Sequence, residues 1–141
     1  MKANWMMKRE KGASAVEFAL VLWFLLLIVF GIIEWGIYLF NDHIITDASR
    51  KGARLGIIQA SPRISIDQIR ARVLQFANTN LVTFGTQNTP QITVPAICTK
   101  FGDDLEVTVT YNYSFLLLPS LTFGKVSPSK TITARTSMKC E

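Results

Sequence analysis

FALVLWFLLLIVFGIIEWGIYLF, residues 18–40, decides how the rest of the chain is read. From Phe18 to Ile33 no side chain is charged or strongly polar; Glu34 interrupts the run and Trp35 to Phe40 resume it. At about 1.5 Å per helical residue the stretch extends about 35 Å, enough to cross a ~30 Å hydrocarbon layer with some tilt. Inside lipid a backbone must satisfy its own hydrogen bonds, so the stretch is predicted to be helical. It is apolar all round rather than striped, which suits contact with lipid or with other apolar helices.

The formal charge of +5 is unevenly placed. Lys2, Lys8, Arg9 and Lys11 against Glu10 precede the apolar run, and no nucleic-acid motif accompanies the basic residues, so a nucleic-acid partner is not expected. A basic flank ahead of an apolar run reads as a cytoplasmic anchor. It sets the N-terminus inside and the residues after Phe40 outside. An ordinary secretory signal has a shorter apolar core closed by small residues. Here the small residues Gly12, Ala13, Ser14 and Ala15 lie on the other side, between the basic leader and the run. A cut there removes the leader and keeps the membrane helix. Glu17 sits at the inner edge of the run, where a carboxylate is expensive unless it reaches water or a cation.

KREKG followed by ASAVEF, residues 8–18, resembles the leader boundary of type IV prepilins. A basic leader ends in glycine, glutamate stands fifth in the mature chain, and Glu17-Phe18 is similar to the Glu-Tyr or Glu-Phe pair of the tight-adherence (Flp, type IVc) branch. GIIEWGIYLFNDHIITDASRKGAR, residues 31–54, is similar to the end of the conserved segment in TadE-like proteins, with a late glutamate and then an alanine–arginine pattern. The resemblance covers roughly residues 8–56. It implies a TadE-like minor pilin, or pseudopilin, cut between Gly12 and Ala13 by a prepilin peptidase. It also implies that Glu17 and Phe18 act in assembly, the Glu17 carboxylate pairing with the new ammonium of a neighbour. Glu34, near the outer interface, is expected to snorkel.

After the run the same helix is expected to continue. Ile44, Ile45, Ala48, Gly52 and Leu55 share a face, Asp47 and Lys51 have the favourable i,i+4 order, and glycines 52 and 56 permit close approach of another backbone. A second helix starts at Ser65, with Gln68 completing a capping box and Ile66, Ile69, Val73, Leu74 and Ala77 forming its apolar stripe. Residues 50–72 carry six Arg or Lys and one acid, either a solvated face or a surface for an acidic partner. Residues 78–90 read as a loop.

The period then changes from helical to two. Residues 92–98 form a first strand, demoted to an edge by Pro95; residues 105–115 give the cleanest strand and residues 132–140 a third. Leu116 to Pro128 reads as a long, partly apolar connection. Cys98 and Cys140 lie in the exported part, where an even count suggests one disulfide; two separate buried thiols are the other possibility.

The expected fold class is α+β. Residues 1–12 form a leader, 13–58 a transmembrane helix extended beyond the membrane, and 59–141 a small domain with one helix and about three strands. His43 is the only histidine, and no phosphate loop, paired nucleophile or metal-ligand spacing occurs, so neither enzymatic activity nor a cofactor or metal is expected. The resemblance implies assembly of an adhesive, biofilm-forming tight-adherence pilus from the bacterial inner membrane. Its partners would be the peptidase, other pilins, assembly-platform proteins and membrane lipid. The alternative is an uncleaved bitopic protein with a periplasmic binding domain, serving as assembly factor or receptor.

Overall fold

The computed structural model describes residues 3–84 and 87–141, with the side chains of the first helix described from Gly12 onward. The basic side chains expected to form the leader, Lys8, Arg9 and Lys11, lie outside the described residues. Helix α1 runs Ala3–Ile57, about 80 Å at the usual rise. Its burial changes character at Glu34. Ahead of that residue no described α1 side chain, from Gly12 onward, is buried, and Gly12 to Leu25 are exposed. From Glu34 a stripe appears: Glu34, Tyr38, Asn41, Ile45, Ala48, Gly52 and Gly56 are buried at spacings of three and four. That is the period of one helix face set against a core. The apolar run of the sequence therefore contains two physically different stretches, one in which no residue from Phe18 to Ile33 is buried and one folded into the domain.

Helix α2, Ile66–Asn80, lies on this stripe through Ile69, Val73 and Ala77. Its start is fixed as the sequence indicates. The Ser65 hydroxyl accepts from the Gln68 backbone N–H, and the Gln68 side chain accepts from the Ser65 backbone N–H. The helix runs three residues into the segment 78–90 expected to be loop, and Asn80 and Thr79 donate to the carbonyls of Phe76 and Gln75.

Strands β1 (Gln91–Thr93), β2 (Asp104–Ser114) and β3 (Ser129–Lys139) form one antiparallel sheet in the order β1-β2-β3. β1 is shorter than expected; it ends two residues before Pro95, which cannot donate to a ladder, and Ala96 and Ile97 are exposed. In β2 the alternation holds throughout. Leu105, Val107, Val109, Tyr111 and Tyr113 face α1 and α2, while Glu106, Thr108, Thr110 and Asn112 face away. The long register from Asp104↔Lys139 to Ser114↔Ser129 puts Ile132 and Ala134 on the same inner face. Each fully buried aliphatic side chain contributes about 1.5–3 kcal/mol.

A turn at Lys100–Asp103 carries the chain from the residues after β1 into β2, with Gly102 at φ +88°. Beside it Cys98 and Cys140 are bonded, their Cα atoms 5.7 Å apart and 42 residues apart in sequence. A loop of that length adds about 4 kcal/mol of stability in the chain-entropy account.

Gly52 and Gly56 of α1 are met by side chains rather than by another backbone. A Cβ on Gly52 would stand 2.5 Å from Val73 Cγ2 and 3.2 Å from Val107 Cγ1. Gly52→Val is therefore expected to lower stability by about 1–3 kcal/mol through overpacking. Gly36, with open space at its Cβ position, should accept Ala without loss. Thermal unfolding of the two variants in the same detergent checks the contrast.

Candidate functional site in the apolar helix

The sequence singles out Gly12, Ala13, Glu17 and Phe18, and the structure gathers them on one uninterrupted helical segment. Nothing lies within 4 Å of a Cβ built on Gly12, and Ala13 to Phe18 are exposed. Glu17 stands on this bare surface. Glu34 is seventeen residues further on, about 25 Å along the axis and about 100° around it.

Glu34 does not snorkel. It is 0% exposed, and its carboxylate accepts three backbone hydrogen bonds: Oε1 from Leu116 and, at 3.1 Å, Leu117; Oε2 from Leu118 at 2.7 Å. These donors open a short helix, α3 (Leu117–Leu121), within the connection expected to be irregular. The N-cap of α3 is Leu116, which offers no side-chain acceptor, and Pro119 has no N–H to satisfy. The carboxylate from α1 serves as the cap. Charge-assisted bonds of this kind offset a desolvation that otherwise amounts to several kcal/mol.

Two further polar residues on the α1 stripe repeat the arrangement, and the sequence reading missed both. Asn41 is buried and bonds Val82 in both directions, its Nδ2 donating to the carbonyl at 2.6 Å and its Oδ1 accepting from the N–H at 3.0 Å. Ser49 Oγ lies 2.7 Å from Thr136 Oγ1 on β3 and donates to Thr46 O. The signal available in the sequence was the spacing 34, 41, 49, seven and eight residues apart, which puts three polar groups on the apolar face.

Around Glu34 the aromatic rings close the site. Tyr38 packs edge-on to Tyr113 at 5.8 Å and stacks on Phe115 at 5.9 Å, while Lys130 Nζ lies 5.1 Å over Trp35 and 5.0 Å over Tyr38. Burial first, then the Glu34 charge and Tyr111, push the Tyr113 hydroxyl up to about 12.

The basic residues of the domain are partly compensated. Arg50 approaches Asp47 and Arg70 approaches Asp67, each at 3.9 Å, whereas Lys51 lies 3.4 Å over the Phe76 ring rather than on Asp47. Lys51, Arg54 and Arg72 border a cleft of about 480 Å³ floored by Leu55, Ile58 and Phe76. Asp103 closes its turn by accepting from Thr99 Oγ1 at 2.7 Å and Lys100 N at 2.9 Å; these bonds, the Thr99 hydroxyl first, hold its carboxyl below the usual range. His43 is exposed. Among the described residues no cluster of His, Cys, Asp and Glu is arranged to hold a metal.

Two expectations follow. Glu34→Ala strands three amide donors, at about 1–3 kcal/mol for each that stays buried. Hydrogen exchange at Leu116–Leu118 should then rise steeply, with Glu17→Ala leaving it unchanged; unchanged protection in Glu34→Ala would show that the carboxylate does not hold α3. The second concerns alkali. The folded Tyr113 keeps its proton more tightly than an unfolded tyrosine, so stability is lost as pH rises from about 10 to about 12. Tyr113→Phe should flatten that limb of a pH–stability curve and be near neutral at pH 7, because the buried hydroxyl has no hydrogen-bond partner among the described residues.

The family model described as TadE-like protein matches residues 12–54, from Gly12 to the last turn of the α1 stripe. No curated protein and no solved structure matches the chain. Glu17, Glu34, Asn41 and Ser49 all fall within the matched residues, and through residues 12–54 the chain carries a TadE-like segment.

Proposed function

We propose that the chain is a minor pilin, or pseudopilin, that takes part in assembling a tight-adherence pilus and is processed between Gly12 and Ala13 by a prepilin peptidase. The observation that carries this reading is the division of α1 at Glu34. Its second half is the packed face of an α+β domain, while residues 12–33 are largely apolar, none of them buried, in a helix long and apolar enough to cross a membrane. Such a helix rests in lipid as an anchor and can exchange lipid for neighbouring apolar helices at little cost, since both present similar surfaces. The N-terminus would face the cytoplasm and the domain the periplasm. The role is structural rather than enzymatic.

Cleavage would create an ammonium at Ala13, about one helical turn from Glu17. Glu17 is exposed in the single chain, unlike Glu34, which is buried and accepts three hydrogen bonds from the start of α3. Away from water an unpaired carboxylate costs several kcal/mol, so pairing Glu17 with the Ala13 ammonium of a neighbour would fix the axial register of subunits.

One observation favours the uncleaved bitopic reading: α1 passes through Gly12 without a break. A peptidase generally needs its substrate strand opened, and glycine lowers the cost of opening by about 1 kcal/mol relative to alanine. The two readings separate on the N-terminus. Co-expressed with a prepilin peptidase, the wild-type chain should begin at Ala13 by intact mass, and Gly12→Leu should keep residues 1–12. Glu17→Ala should be cleaved yet fail to crosslink to other pilins. An intact Met1 terminus beside an active peptidase would favour the bitopic protein.

A further inference from the structure

The connection between β2 and β3, residues 115–128, does not stay with the sheet. It runs back along α1 towards the N-terminal half. Leu118 lies 3.6 Å from where a Cβ on Gly31 would be, and the Phe123 ring lies 6.1 Å from that of Trp23. Trp23 is eleven residues before Glu34, about 16 Å along the axis. We propose that this connection is a second membrane-inserted element, its tip at Leu121–Phe123 lying among lipid acyl chains beside α1. The inference rests on the reading of α1 as a membrane span.

Three observations point to lipid as the occupant. The first is hydrogen bonding. Leu116, Leu117 and Leu118 donate to Glu34, Pro119 has no N–H, and Thr122, Gly124 and Lys125 donate to Leu118, Pro119 and Thr122 carbonyls. The two hydroxyls of α3 and its C-cap also turn inward: Ser120 Oγ donates to Leu116 O at 3.1 Å, and Thr122 Oγ1 to Leu118 O at 2.6 Å. A connection facing water has no need to close its polar groups on itself; one in hydrocarbon does.

The second is what it leaves outside. Phe123 is 85% exposed and sits at φ +52°, a backbone conformation unfavourable for a bulky residue. Neither turn preference nor burial within the chain accounts for an aromatic ring there. Leu116 is 47% exposed, and the surface these residues form is continuous with the apolar window of α1, none of which is buried. Whatever covers Trp23 covers Phe123.

The third is the boundary. Trp35, Tyr38 and Lys130 stand together level with Glu34, the aromatic and cationic composition of a lipid–water interface. A ~30 Å layer ending there begins about twenty residues earlier, near Ser14, which leaves the basic residues 8–11 outside and Glu17 about one helical turn inside the edge. On that scale the tip reaches about half-way into the layer. Lys125, the one charge in the connection, is exposed and has the flexible stem by which amines climb towards headgroups.

Phe101 gives an internal control. It is 86% exposed, beside the turn that begins β2, at the opposite end of the strand from the connection. The full chain is loaded one copy per nanodisc of phosphatidylethanolamine and phosphatidylglycerol doped with a lipid carrying a mid-chain diazirine. After photolysis, peptide mass spectrometry reads label at residues 18–33, 116–126 and 99–103. Label at 116–126 about tenfold or more above that at Phe101, and comparable with the span, is the expected result. A labelled span with 116–126 at the Phe101 level overturns the inference while leaving the membrane reading of α1 intact. An unlabelled span overturns both. If 116–126 is unlabelled in these discs but crosslinks to a second chain when two copies are loaded, the tip is a subunit contact and the lipid assignment is wrong.

Discussion

A carboxylate can be buried in an apolar helix only if donors are brought to it, and here the donors come from more than eighty residues away. Glu34 accepts from three successive amides that open α3, and this clasp determines where the connection between β2 and β3 must lie. Because β2 and β3 are paired along their full length, pinning one end of the hairpin to α1 also orients the sheet against the helix. Asn41 and Ser49 repeat the arrangement further along, holding the segment after α2 and strand β3. Each polar group on the stripe is matched to a different part of the domain. Apolar contact brings helix and sheet together without direction; the three clasps supply the register, since a slip along α1 would strand all of them.

The same clasp divides the apolar run. Between Phe18 and Phe40 composition barely changes, yet no residue of the run ahead of Glu34 is buried and those after it carry one face inside the domain. Lipid chains and core side chains make similar demands on a helix surface, so hydropathy alone does not separate them. The period does. Before Glu34 large aliphatic residues occupy every face; after it, one line carries small or hydrogen-bonding residues at Asn41, Ala48, Ser49, Gly52 and Gly56. Gly52 and Gly56 admit Val73, Ile69 and Leu105, which is how α2 and β2 approach the same turn of α1 together.

Local rules of the chain were therefore legible where they act within one element. The alternation in β2 announces a half-buried strand, and Ser65 with Gln68 announces the start of α2, because their partners lie a few residues away. Pro95 announces an edge strand, though β1 stops at Thr93 rather than running on to residue 98. What was not legible depends on pairing between distant segments. Leu116-Leu117-Leu118-Pro119 lacks every local sign of a helix start, since its cap is supplied by Glu34. Read alone, Glu34 is a costly residue near an interface and Leu116 an apolar loop residue. Each is explained only by the other. An uncapped leucine run containing proline and a lone carboxylate in an apolar span are complementary deficits, and that complementarity is the signal that was available.

The two glutamates of the helix show how one residue type takes two roles through its surroundings. Glu34 accepts three hydrogen bonds from its own chain, and its charge also weighs on the nearby Tyr113 hydroxyl. It is buried where α1 meets α3, out of reach of a partner. Glu17 stands on an exposed helical surface seventeen residues earlier and about 100° away. A carboxylate left open in an apolar segment retains its desolvation cost until something outside the folded domain removes it, whether headgroup, water or cation. Under the proposed pilin role, an association that draws this segment out of lipid would have to satisfy Glu17 as it forms, while the buried Glu34 would impose no such condition. The proposed register between neighbouring helices would then follow from the position of that charge rather than from the apolar area around it.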